Sequence, residues 1–240
     1  MMTDCATCPH HEDRLEKGRC KPGDACVQAM SGRQIERFFR ENPDLAQGYT
    51  GDDFWERRAI AARYISQQRL LELIDDPDEV VRRVLAYRLP VDELYRLIGD
   101  IDREVRITVA DRLPAEQLEA LVNDHDYLVR KYVARRMPAG RLFRMICDTD
   151  REVRMSVARR LPPESLGLML NDVEPEIRRI VAERIQPAAL SALLDDPDWG
   201  VRLQVAERAT RGMLEILEHD TDPDVKEVAR QRLREMDDND

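Results

Sequence analysis

Apolar positions along most of this chain recur at spacings of three and four, with no stretch of the two-residue alternation that marks a strand. In DPDEVVRRVLAYRLP, Val81, Leu85 and Leu89 fall on one helical face, Asp78 is placed to cap the helix, Glu79 lies in its first turn and Pro90 ends it. A shorter apolar group follows, Leu94, Leu97 and Ile98, leaving room for one to two turns of α or 3₁₀ helix before the next aspartates. The whole pattern then returns. Val/Ile-Arg recurs every 24 residues, as Val81-Arg82, Val105-Arg106, Val129-Arg130, Val153-Arg154, Ile177-Arg178 and Val201-Arg202. Proline recurs at Pro114, Pro138, Pro162 and, shifted, Pro187. A small residue stands at Ala86, Ala110, Ala134, Ala158, Ala182 and Ala206, where neighbouring helices need to approach closely.

A fixed period of this length predicts stacked supersecondary units, none of which can bury its apolar side alone. The expected architecture is an all-α solenoid of 24-residue repeats, each a medium helix, a kink and a short helix. A small Cys-rich domain over residues 1–50 precedes the array over 51–240. Counting by register gives about seven full repeats beginning near 57 and a degraded one at 225. Arg57-Arg58 replaces Val-Arg in the first, Lys226 replaces Arg in the last, and the acidic REMDDND finishes the chain.

Two arginine rows run through the units, Arg82 to Arg202 and Arg88 to Arg232, against two acidic rows that begin at Asp76 and Asp78. Asp capping helices while Arg ties adjacent layers explains this better than a phosphate-reading stripe, because the two acidic rows match the two arginine rows in number through the units. The formal net charge of -10 likewise disfavours a fold-wide attraction to nucleic acid or an anionic membrane. Without a long apolar run or a leader-like N-terminus, the expected location is the cytoplasm. In that reducing compartment clustered cysteines hold metal more often than they form disulfides.

Cys5, Cys8, Cys20 and Cys26 form C-x2-C-x11-C-x5-C, with Pro9 and Gly18 redirecting the chain and Pro22-Gly23 turning Cys20 toward Cys26. This segment has too few apolar residues to fold by burial alone, so binding would supply much of its folding free energy. Three readings stand open on spacing: a 4Fe-4S cluster, zinc, and disulfides. The five-residue spacing of the second pair weakens zinc, whereas a cluster's well-separated corners tolerate irregular spacing. His10 and His11 read as flexible surface side chains, or as ligands in the zinc alternative, and Cys147 as a bystander. In SGRQIERFFRENP, Ser31 and Gln34 form an expected capping box, and Ile35, Phe38 and Phe39 share a face that docks the head on the repeats or shields the metal centre.

The array resembles the leucine-rich repeat variant proteins, whose 24-residue units alternate α and 3₁₀ helices in a right-handed superhelix. The L-x-x-L-x-L strand of ordinary leucine-rich repeats is absent, and HEAT-type repeats, the structural runner-up, are usually longer. With the cysteine head the resemblance extends to the family's iron-sulfur branch, known from a nitrogen-fixing bacterium. It implies a 4Fe-4S cluster on Cys5, Cys8, Cys20 and Cys26, and a setting near nitrogen fixation.

No nucleophile–base pair, Gly-rich phosphate loop or H-E-x-x-H motif is visible, so an enzyme is not expected. The expectation is a redox-capable scaffold, transferring electrons or sensing redox state, that meets a protein partner on the repeat surface. A nucleic-acid-binding module with a structural cluster is the alternative. A monomer is expected.

Overall fold

The computed structural model describes residues 5–238 and forms two compact units, Met1–Pro114 and Ala115–Asp240. The expected boundary after residue 50 falls inside the first unit. Among the described residues the elements are helical, apart from an isolated antiparallel bridge between Lys21 and Ala25. The first unit holds α1 (Gly32–Glu41), α2 (Trp55–Ala61), the short α3 (Gln67–Leu70), α4 (Glu79–Arg88) and α5 (Arg103–Arg112). The second holds α6 (Tyr127–Arg136), α7 (Arg151–Ala158), α8 (Pro175–Arg184), α9 (Trp199–Ala206), α10 (Arg211–Leu217) and α11 (Pro223–Asp237). Within each unit the successive α-helices of the repeats pack side by side, α2 on α4 and α4 on α5, then α6 on α7, α7 on α8 and α8 on α9.

Seven-residue 3₁₀ helices stand between them: Val91–Leu97 in the first unit, and Ala115–Leu121, Ala139–Met145, Pro163–Met169 and Pro187–Leu193 in the second. Their buried residues, such as Leu94 with Leu97 and Leu190 with Leu193, are three apart. That spacing matches three residues per turn, so both side chains point into the core. Segments without the proline differ: after Ser66 the chain starts as α3 before Leu71–Leu73 turns 3₁₀, and after Thr210 it is wholly α-helical as α10. Val81, Leu85 and Leu89 are fully buried, as are Ala86, Ala134, Ala158, Ala182 and Ala206, where a larger side chain would force the helices apart.

The two aspartate rows have separate duties. Asp78, Asp126 and Asp150 cap α4, α6 and α7 by accepting a backbone N–H two residues on. Phe54 fills this slot before α2 and Glu174 before α8, and neither makes the side-chain cap; α8 begins instead with Pro175, which has no N–H to satisfy. The other row is gripped by arginine. Arg82 donates through Nε and Nη2 to both oxygens of Asp100, eighteen residues on, at 2.8 and 3.0 Å. Its Nη1 donates to the Asp76 carbonyl at 2.7 Å. Arg58 with Asp76 does the same in the first unit, and so do Arg130 with Asp148, Arg154 with Asp172, Arg178 with Asp196 and Arg202 with Asp220 in the second. Each carboxylate also accepts the N–H two residues ahead, as Asp196 does from Asp198.

The second arginine row reaches backward. Arg112 donates to the carbonyls of Ala86 and Leu89, Arg160 to those of Ala134 and Met137, and Arg232 to those of Ala206 and Ala209. These carbonyls lie at the carboxyl end of the preceding layer's helix, where no intrahelical donor remains and a cation is favoured. Both rows are therefore used to join layers, as expected of the interlayer reading rather than of a phosphate stripe.

The Arg178 and Asp196 side chains are 11% and 4% exposed, so Arg178→Met strands an enclosed carboxylate and is expected to cost about 3 kcal/mol. Arg178→Met with Asp196→Leu is expected to cost less, and denaturant melts of the helical signal check the order. The Asp220 carboxyl lies below its ordinary range because Arg202 hydrogen-bonds it, against an opposing effect of burial. At Asp196 burial pushes upward, but the bonds from Arg178 and the Asp198 N–H outweigh it and the net direction is also down. A depressed folded value means stability is fully present above the unfolded aspartate value near pH ~3.9 and drains away as pH falls through the folded one. Acid titration of helicity should show this loss, and Asp196→Asn/Asp220→Asn should be weaker at neutral pH yet lose less on acidification.

Candidate metal centre

The four head cysteines come together in the first unit, although its local chain has little apolar residue to organise it. Cys8 N–H donates to the Cys5 carbonyl at 3.3 Å, and His11 N–H to that of Cys8 at 3.1 Å, so the first pair sits on one tight turn. A single π-turn, His11–Leu15, carries the chain away, and Gly18 at φ +70° reverses it. Lys21 and Ala25 exchange backbone hydrogen bonds at 2.8 Å around Gly23, at φ +79°, which brings Cys26 back beside Cys20. Cys26 N–H is held at 3.1 Å by the Gln34 carbonyl of α1.

Cys5, Cys8, Cys20 and Cys26 line a single cavity together with His10, His11, Leu15 and Gln28. Cys20 and Cys26 are buried, Cys5 and Cys8 half-buried, and none forms a disulfide. Cys147 lies far along the chain in the second unit and is exposed. Burial pushes the Cys20 thiol up to about 11, and the charges of Cys26, Cys8 and Cys5 add to that rise. Four sulfurs gathered this closely disfavour being thiolates together unless a cation offsets their charge, which is what a metal centre provides. The donor set thus fits an all-thiolate centre. Among the described residues no group of three or more His, Cys, Asp or Glu side chains converges on a point where one metal ion would sit.

An aromatic cluster packs behind His10, which lines the cavity. Ile35, Phe38 and Phe39 of α1 are fully buried. The Phe38 ring lies 5.6 Å from that of His10, and Phe39 packs against Phe38, Tyr49 and Tyr64 at 5.5, 5.4 and 6.1 Å. The shared face expected of these residues is present and buried, and through Phe38 it packs against His10 of the head. Burial, with Cys8's charge second, pushes the Tyr49 phenol up to about 12.

His10 departs from the expected surface role. Its side chain is 13% exposed, and its Nε2 is paired with the Tyr49 hydroxyl at 2.7 Å. His11 is half-buried on the cavity lining. The Ser31–Gln34 capping box also fails: Ser31 is the N-cap of α1 but its side chain makes no capping bond, while the Gln34 carbonyl is engaged by Cys26. Sequence reasoning missed Asn42, which is fully buried at the end of α1. Its amide donates to the Arg19 carbonyl at 2.8 Å and the Phe38 carbonyl at 2.9 Å, pinning the loop immediately before Cys20. The Asn42-Pro43 dipeptide, a turn signal, was the available hint.

Cysteine-lined head and 24-residue α/3₁₀ layers together define a helical repeat protein with a thiol site at its leading end. Its residues 2–48 match the family described as LRV protein FeS4 cluster, and residues 103–126 and 151–174 match Leucine rich repeat variant. A solved structure described as "a leucine-rich repeat variant with a novel repetitive protein structural motif" is 57% identical, with a TM-score of 0.88, over 97% of this chain and 100% of that one. The chain belongs to the leucine-rich repeat variant family, as the resemblance implied. An uncharacterized 27.7 kDa protein in the nifB 3′ region of Rhodobacter capsulatus is 41% identical over 87 residues, 36% of this chain; the match spans only 35% of that relative.

Replacing Asn42 by Leu leaves the Arg19 and Phe38 carbonyls without that donor, at a cost of roughly 1–3 kcal/mol to the head. Limited proteolysis should then cut between residues 9 and 30 faster than in the parent, with the repeat layers still protected.

Proposed function

We propose that Cys5, Cys8, Cys20 and Cys26 hold a 4Fe-4S cluster and that the protein is a non-enzymatic redox scaffold. The observation that carries this reading is the convergence of four thiols on one cavity inside the segment that matches the FeS4 cluster family. When bound, such a cluster supplies one-electron transfer. The chain's own residues do the rest: the turns at Gly18 and Gly23 aim the two cysteine pairs, Phe38 of α1 packs behind the cavity-lining His10, and Asn42 fixes the approach to Cys20. The repeat layers present an extended surface of the sort on which a protein partner docks. The arginines that would form a phosphate-reading row are engaged between layers, which favours a protein partner over nucleic acid. The relative from the nifB 3′ region supports a setting near nitrogen fixation.

Anaerobically purified protein is expected to contain about four iron and four acid-labile sulfide per chain, with a reversible low-potential signal by electron paramagnetic resonance. Stoichiometric zinc with neither would sink the cluster. Cys20→Ser should lose most of the iron, and Cys147→Ser should keep it. Salt-sensitive retention on a polyanion column would favour the nucleic-acid alternative over the scaffold.

A further inference from the structure

Two polar side chains on the cavity lining have no hydrogen-bond partner among the described residues. His11 opens the π-turn that follows the first cysteine pair, and Gln28 lies two residues beyond Cys26; both are half-buried. Their neighbour His10 shows what a committed side chain looks like in this head, with its ring paired to Tyr49 and packed on Phe38. Partly enclosed polar groups normally find a partner, and the cavity that these two line is lined also by the four cysteines. A neutral imidazole carries one ring N–H whichever nitrogen holds it, and the Gln28 amide carries two. We infer that His11 and Gln28 donate N–H hydrogen bonds to the sulfur atoms of the centre held by the four cysteines, and that these bonds set its reduction potential.

This inference rests on the cluster reading and adds what two non-ligand residues do to it. An added electron makes the sulfurs more negative, so a donor aimed at sulfur stabilises the reduced state more than the oxidised one and raises the potential. His10, on the same lining, contributes differently: its ring is held by Tyr49 and Phe38 and steadies the turn that carries His11.

The experiment is a redox titration of the anaerobic full-length holoprotein, followed by electron paramagnetic resonance, with iron and sulfide measured on every sample. His11→Phe keeps a ring of similar size without an N–H, Gln28→Met keeps length without an amide, and His11→Asn retains a donor. His11→Phe and Gln28→Met are expected to shift the potential to more negative values at parental iron and sulfide content, with His11→Asn recovering part of the shift. Potentials that coincide with the parent in both, or move positive, overturn the inference. If His11→Phe fails to retain iron, Gln28→Met and His11→Asn decide in the same way; loss of iron from all three overturns it, because both residues would then be supports for the fold rather than donors. A parent protein without iron and sulfide defeats the cluster reading itself, whereas a loaded parent with unmoved variants defeats only this inference.

Discussion

The two-point grip of an arginine on the aspartate of the next layer constrains the rest of the repeat array. In each instance the carboxylate sits almost out of solvent, holds two N–H donors of one guanidinium and accepts a backbone N–H, while the arginine's remaining arm closes on a carbonyl two residues before the N-cap of its own helix. Enclosing a charge pair this way adds little net stability compared with apolar residues in its place. Its value is in register. Lengthening or shortening one layer by a residue would leave a guanidinium and a carboxylate enclosed without each other, a far larger penalty than a shifted methyl group. A strict 24-residue period follows from that penalty, and it explains why Arg58 keeps the role in the first repeat although Val-Arg has become Arg-Arg there.

The backward-reaching arginines complete the same logic at the opposite end of each helix. A helix of ten residues leaves several carbonyls without donors, and in a stack these ends are too close to the next layer for water to serve them freely. Arg112 and its equivalents supply the missing donors from the following repeat. Within each unit, layers are thus tied forward through a side-chain carboxylate and backward through main-chain carbonyls, with fully buried alanines allowing the close approach that both reaches require.

The head follows a different principle. Among its described residues the only helical piece before α1 is one π-turn, and its order comes from glycine turns, a few backbone bonds and Asn42. Burial first, and then the neighbouring sulfurs, disfavours the Cys20 thiolate, so the deprotonated set that a metal centre needs calls for a cation beside it. A head of this kind and a bound inorganic centre are therefore interdependent: the chain positions the sulfurs, and the centre removes the repulsion between them.

Local pattern determined the layered helical class, the helix starts at Asp78 and its equivalents, the proline breaks, the buried alanines and the four-cysteine set. Each of these depends on neighbours a few residues apart or on a period long enough to count. The interlayer duty of the arginines was also legible, because acid and base recur in fixed register. Which aspartate row caps and which is gripped was decided only by the tertiary structure, since both rows look alike in sequence and differ in whether an arginine from the previous layer reaches them. The same holds for His10, drawn from an apparently solvated segment into contact with Tyr49, 39 residues away. It holds as well for Asn42, whose partner Arg19 is 23 residues back. Such pairings come from the docking of the head on α1, and a contact between segments without a shared period leaves no trace in the spacing of residues along the chain.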